Sequence, residues 1–220
     1  MIHSPRLLCL GVAILTLTLQ AATLPGQDAS NGPHITFSKT MIGSTPEYFA
    51  LKINTRGEGS YDSHQLSDPP SIRPIQLSAK TTEQIFSLAH SLNNFRSSDL
   101  DSHHKVANMG LKTLIYEDTG ESNKVQFNYS ENRSAQQLAD LLEKIGNVEE
   151  RIGELTYTMK YDRLNLPQIL SQIEYGIDNG YFAEAELMLP TLEKISSDPH
   201  NLHLAQTRAR EIEDRIRKGK

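Results

Sequence analysis

The sequence predicts an α+β fold: a small antiparallel β-sheet with a covering helix, followed by a long helix and a C-terminal helical bundle. Two periodicities carry this reading. Up to about residue 130, apolar side chains alternate at intervals of two, as in Phe49, Leu51 and Ile53, the period of a half-buried strand. Beyond it they recur at three and four, the period of a helix with one apolar face. The expected organisation is a signal peptide over 1–27, an α+β sheet domain over 28–130 and a helical domain over 131–220.

The first element is a targeting segment. "MIHSPRLLCLGVAILTLTLQAATLPGQ" has Arg6 in a short polar start, then the mostly apolar stretch Leu7 to Leu19, then small residues and a Pro-Gly break. That order is the pattern of a secretory signal peptide. The apolar stretch falls short of the ~20 residues of a membrane span. Cleavage is expected between Ala21 and Gln27, and the competing reading is an uncleaved anchor. The only cysteine, Cys9, lies inside the apolar stretch. An exported mature chain would therefore have no disulfide, thiol nucleophile or Cys-ligated zinc. With 37% hydrophobic residues and fourteen Tyr and Phe, a core can form without such staples.

"DASNGPHIT", residues 28–36, reads as a flexible leader. "EYFALKIN" is a strand, "TRGEG" a turn and "SYDSH" the returning partner strand. "SDPPSIRP" is a proline-rich connection and "IQLS" a short strand. Ser78 or Thr81 then caps a helix whose stripe is Ile85, Leu88, Ala89, Leu92 and Phe95. After a polar loop over 96–108, "LKTLIYEDTGESNKVQFNYS" reads as a hairpin with Val125, Phe127 and Tyr129 on one face.

The helical part opens with Leu138, Leu141, Ile145, Val148, Ile152, Leu155 and Met159, a heptad seam. Gly146 and Gly153 interrupt it, each costing roughly 1 kcal/mol relative to alanine. Asn165 is positioned to cap the next helix, which "DNGYF" ends. Pro190 kinks or restarts a helix within 183–196. Asp198-Pro199 reads as a cap and first-turn proline for a last helix carrying Leu202, Ala205, Ala209, Ile212 and Ile216. No second copy appears at a fixed period, so no repeat array is expected.

Charge argues against one class of partner. The formal net charge is −5, and −6 without the first 27 residues, which carry Arg6 and no acid. A mildly acidic chain lacks the footprint of a duplex-binding protein, and no nucleic acid is expected. The tail holds six basic residues and three acids from Arg208 onward, a pattern that complements a helix dipole before it suggests an anionic surface.

Chemically loaded residues are few. "DLDSHHKVANMG" places Asp99, Asp101, His103 and His104 on a connection. Adjacent histidines in an extended loop point apart, so a metal site there needs a ligand from elsewhere. His200 and His203 share a helix face but lack a Glu-x-x-His partner. The weak metal candidates are therefore Asp101, His103 and His203, set against the reading of solvated polar loops. "RGEGS" lacks the third glycine and following helix of a phosphate loop and reads as a hairpin turn. Asp62, Ser63 and His64 are strand neighbours facing opposite sides, which is not a catalytic triad. Glu149-Glu150 and Glu211/Glu213 read as solvated helix faces. Asn128-Tyr-Ser130 and Asn132-Arg-Ser134 fit the glycosylation pattern, which matters only in a eukaryotic secretory pathway.

"FSKTMIGSTPEYFALKI", "GEGSYDS", "DPP", "KVANMGLKTLIYED", "VQFNYS", "YDRLNL" and "MLPTLEKIS" together resemble a family of uncharacterised exported bacterial proteins. The resemblance spans nearly the whole mature chain. It implies export and carries over no catalytic residues. Its landmarks here are Gly43, Pro46, Tyr48, Gly110, Lys112, Thr113, Phe127 and Tyr129, which look like parts of a sheet.

The function expected from these features is that of a non-enzymatic periplasmic or secreted binding module with no cofactor. It would meet another protein through a sheet edge or the heptad helix, with no stable membrane span after signal cleavage. The competing expectations are a metal-dependent hydrolase using histidine and aspartate ligands, and a scaffold that dimerises through the 138–159 helix.

Overall fold

A computed structural model describes residues 32–96, 99–102 and 104–219. The expected signal peptide, 1–27, and His103 lie outside the described residues.

Six strands form one antiparallel sheet: β1 (His34–Thr40), β2 (Tyr48–Asn54), β3 (Glu58–His64), β4 (Arg73–Gln76), β5 (Leu111–Asp118) and β6 (Glu121–Phe127), in the order β4-β3-β2-β1-β5-β6. The central strand, β1, corrects the expectation of a leader over 28–36, because its first three residues fall in that stretch. Ile35 and Phe37 are its buried face. Phe37 opposes Leu51 on β2 and Leu114 on β5. Thr36 and Ser38 alternate with them, which is the strand period itself, carried by only two apolar residues directly after a turn-rich stretch. Gly59 on β3 opposes Ile53, and a Cβ there would lie 1.8 Å from the Lys52 carbonyl oxygen, so only glycine fits. Strand β4 begins two residues earlier than "IQLS" suggests, and Pro74 is tolerated because β4 is an edge. The β5–β6 hairpin turns on Thr119 and Gly120, the latter at φ +76°. Tyr129 lies beyond β6 and is 37% exposed, off the buried face expected for it.

Helix α1 (Ala79–Ser91) is capped by Ser78, whose side chain accepts from the Thr81 N–H. Glu184 reaches in from the helical part and accepts from Ser78 N at 2.9 Å, Ser78 Oγ at 2.6 Å and Thr81 Oγ1. A carboxylate at a helix N-terminus also complements the dipole.

Helix α2 (Arg133–Tyr161) is unbroken over 29 residues. Leu138, Leu142 and Ile145 join Ile85, Leu51, Phe37 and Leu114 in the core on one face of the sheet. Val148 and Leu155 join a second core with α3 (Leu166–Asp178), α4 (Leu189–Ser197) and α5 (His203–Arg217). The heptad seam is thus filled by the chain's own side chains, with Leu141, Ile152 and Met159 packed at its margins. A partner expected to dock along 138–159 would meet a seam already in use.

The last helices begin differently from their sequence signals. A 3-10 turn, Ala185–Met188, precedes α4, and Pro190 occupies its first turn. Asp198 does not cap α5, which starts at His203 after Leu202, itself 43% exposed. The Asp198 carboxylate instead accepts from His200 N and faces His200 Nδ1, both at 2.9 Å. That local Asx turn competes with continuing a helix. Among the described residues no helix is long and apolar enough to cross a membrane.

Candidate functional site

Among the described residues, those flagged by the sequence do not come together. Asp101 Oδ1 accepts from the backbone N–H of Asn128 at 2.9 Å. Asn128 in turn accepts from Met109 N at 2.7 Å and donates to the Ala107 carbonyl at 2.8 Å. Asp101 therefore ties the connection before β5 to the end of β6. His104 lies 3.6 Å from Glu131, both well exposed. His203 is the exposed first residue of α5. Among the described residues, no three His, Cys, Asp or Glu side chains gather to hold a metal. Gly57 sits at φ +79° in the β2–β3 turn, and its carbonyl accepts from Leu77 N, a hairpin role with no phosphate cradle. Asp62 and His64 share one strand face, Nδ1 to Oδ1 at 3.2 Å, and the Tyr48 ring lies against His64, tilted 45°, with ring centroids 4.9 Å apart.

The geometry that invites a ligand lies elsewhere. An open cleft of about 780 Å³ separates the β1–β2 loop and the β3–β4 end of the sheet from one face of α2. Thr45, Pro46, Ser63 and Gln65 line one wall, and Glu150, Glu154, Tyr157 and Tyr161 line the other. A smaller pocket of about 160 Å³ continues inward and shares Thr45, Pro46 and Glu150 with the cleft. Helical spacing builds the α2 wall: residues 150, 154, 157 and 161 recur at three and four, out of phase with the buried Val148 and Leu155. Tyr157 and Tyr161 are 64% and 63% exposed, with ring centroids 4.8 Å apart. The Lys160 ammonium lies 4.9 Å from the Tyr161 ring centroid.

Gly146 lets the helix approach the sheet, and Gly153 faces Arg73 with room to spare. A Cβ on Gly146 would lie 2.8 Å from the Phe49 ring edge. At Gly153 the Arg73 guanidinium occupies the space beside the backbone, 3.5 Å from a notional Cβ. Arg73 opposes Tyr61 across the β3–β4 pair and lies 5.2 Å from its ring centroid. It donates to the Glu149 carbonyl at 2.9 Å and lies 3.6 Å from the Glu149 carboxylate.

These contacts correct the expectation that Glu149-Glu150 is a solvated face. Glu149 is 6% exposed. Burial raises its carboxyl pKa, and Arg73 opposes the rise. Glu150 is half-buried, and burial raises its pKa too, with Arg151 opposing and Glu154 reinforcing. The Tyr61 phenol is pushed up to about 12, chiefly by burial, against a hydrogen bond from Ser63 that lowers it. Glu213 is likewise buried, although Glu211 is exposed as expected. One Glu213 oxygen faces Arg217 at 3.3 Å and the other has no partner among the described residues. The sequence signal for the cleft was present in Gly146 and Gly153 flanking Glu149-Glu150, and in the acid-to-tyrosine stripe 150–161.

No protein-family model matches the chain, and no curated protein matches it. The resemblance to exported bacterial proteins rests on the quoted segments alone.

Proposed function

We propose that the protein is an exported, non-enzymatic binding module, periplasmic or secreted, whose recognition site is the cleft between α2 and the β3–β4 end of the sheet. The observation that carries this reading is the tyrosine pair. Tyr157 and Tyr161 leave two adjacent rings, tilted 46° to each other, exposed on the wall of an open cavity. Exposed aromatic area at a concave surface with polar groups nearby is the usual composition of a ligand site. Export rests on the signal-peptide pattern of 1–27. No arrangement of described residues favours the hydrolase over this reading.

The test is a nuclear magnetic resonance titration of the mature chain with a mixed panel of short peptides and oligosaccharides. Shifts are expected to cluster at 45–46, 63–65 and 150–161. Shifts confined to the open edge of β6 would move recognition to the sheet edge. A stoichiometric transition metal lost in Asp101→Ala or His203→Ala, with hydrolytic turnover lost alongside it, would replace the reading by the metal-dependent hydrolase.

A further inference from the structure

The charges around the cleft are almost all satisfied within the fold. Arg73 meets Glu149. Lys39 and Lys112 flank Glu143 at 2.6 Å and 3.6 Å. Arg151 pairs with Glu154 and donates to Gln172 Oε1. His64 faces Asp62. Glu47 accepts from Gly43 N at 2.9 Å and Leu66 N at 3.3 Å. Two groups stand apart. Glu150 accepts no hydrogen bond from any described residue, although it is half-buried where the outer cleft meets the inner pocket. Lys160, toward the mouth, has no carboxylate partner among the described residues and rests on Tyr161.

A half-buried carboxylate without a hydrogen-bond donor costs folding free energy, and the charge of Arg151 offsets the cost only in part, with Glu154 acting against it. Burial already biases Glu150 toward its neutral form. Such a group weakens the fold while facing a cavity, which is the arrangement expected where the missing partner arrives with a ligand. The partner is then a donor of positive charge. Tyrosine faces further along the groove suit the apolar stem and flanks of such a group.

Length narrows the class. Glu150 to Tyr161 spans eleven residues of α2, about 16 Å at ~1.5 Å per residue. An extended peptide at ~3.3–3.6 Å per residue covers that distance in about five residues. The opposite wall offers Ser63, Gln65 and Ser71, neutral groups suited to peptide amides. Lys160 at the far end disfavours a second cation there and favours an acid.

We propose that the cleft binds a short extended peptide segment that seats a single ammonium or guanidinium group at Glu150 and lays its following residues along Tyr157 and Tyr161 toward Lys160. This rests on the cleft being the recognition site.

The test uses the mature full chain and three probes, with calorimetry for affinity and nuclear magnetic resonance shifts for the place of binding. The first is the N-acetylated pentapeptide Lys-Gly-Ala-Gly-Glu, the second the same peptide with norleucine for lysine, and the third chitohexaose in its fully N-acetylated, neutral form. The lysine peptide is expected to bind at least about tenfold more tightly than the norleucine peptide, the size of one charge-assisted hydrogen bond. Glu150→Gln should erase that difference while circular dichroism remains native. Tyr157→Ser, at an exposed position, should weaken both peptides. Equal binding of the two peptides, or a lysine preference that survives Glu150→Gln, overturns the cation seat. Chitohexaose bound at the cleft, with neither peptide bound, overturns the peptide inference and leaves the cleft reading standing. Failure of all three probes to perturb 150–161 overturns both.

Discussion

The sheet core and the helical core are built from different materials. The sheet core buries Phe37, Tyr61, Phe95, Tyr116 and Phe127, with Phe49 bridging Phe37 and Tyr61 at ring distances of 5.7 Å and 6.3 Å. The helical core buries aliphatic side chains, Met188 and small residues such as Ala205 and Ala209, with Phe182 only at its margin against Gly176. Large plates fill the wide gap between a sheet and its helices, whereas small residues let helices approach one another. The two cores meet on α2, between Ile145 and Val148. Beside that junction lie Glu149, Arg73 and Tyr61, and the cleft opens there. A junction between apolar cores is where a charged group can keep its stem dry and its head near water.

The strongest way to break this comparison is Phe37→Ala. Phe37 is fully buried in the central strand, and the substitution is expected to remove about 3–5 kcal/mol. If α2 makes the two cores one cooperative unit, circular dichroism and tyrosine fluorescence will report one shared, shifted urea transition. Two separate transitions in either signal would show that the cores unfold separately. Leu170→Ala, fully buried on α3, is expected to cost about 2–5 kcal/mol in the same assay. Its transition should be shared to the same degree.

A pair of glycine substitutions sharpens the junction itself. In an open helix, alanine for glycine gains up to about 1 kcal/mol. Gly153→Ala should keep that gain, because its Cβ would meet Arg73 at ordinary contact distance, 3.5 Å. Gly146→Ala should lose it, because the Phe49 ring lies 2.8 Å from the new atom. A net loss of about 1–3 kcal/mol is expected there from overpacking. Equal effects at the two sites, measured by urea midpoint, would mean that Phe49 moves aside freely.

Much of this architecture was legible because periodicity is local. The 138–159 seam, the β5–β6 hairpin and the Ser78 cap each follow from a few residues. What was not legible depends on partners far along the chain. Strand β1 shows its period in only two apolar residues, Ile35 and Phe37, beside a turn-rich stretch, and it is held by β2 and β5 on either side. Glu149 is buried because Arg73, 76 positions earlier, crosses to it. Asp101 and His203 drew notice for their chemistry, yet density of polar residues along a sequence says little about convergence in space. The cleft's informative signal was a pair of unfavourable choices, glycines inside a long helix around two acids. Local disagreement of that kind often marks a place where tertiary structure or function decides the residue.

The smallest expected effect concerns Glu150, and its sign is the useful part. Burial raises this carboxyl from its ordinary value of 4.5 in the folded chain. Between that value and the raised one, the native state holds more protons than the unfolded state, so stability rises as pH falls through the window. Above the window, the native state carries the charged form at a cost. Glu150→Gln removes that cost. At pH 7 the variant should be more stable by under about 1 kcal/mol, since the half-buried group is partly screened by solvent. The gain should shrink on acidification and be smaller at about pH 4, below the carboxyl's ordinary value of 4.5, where both states largely bind the proton. Glu149→Gln should gain less, because it leaves Arg73 without its carboxylate partner. Urea midpoints of the three proteins at both pH values decide the matter. A Glu150→Gln variant that is less stable at pH 7 would mean that the carboxylate is held by the fold and is not kept open for a ligand.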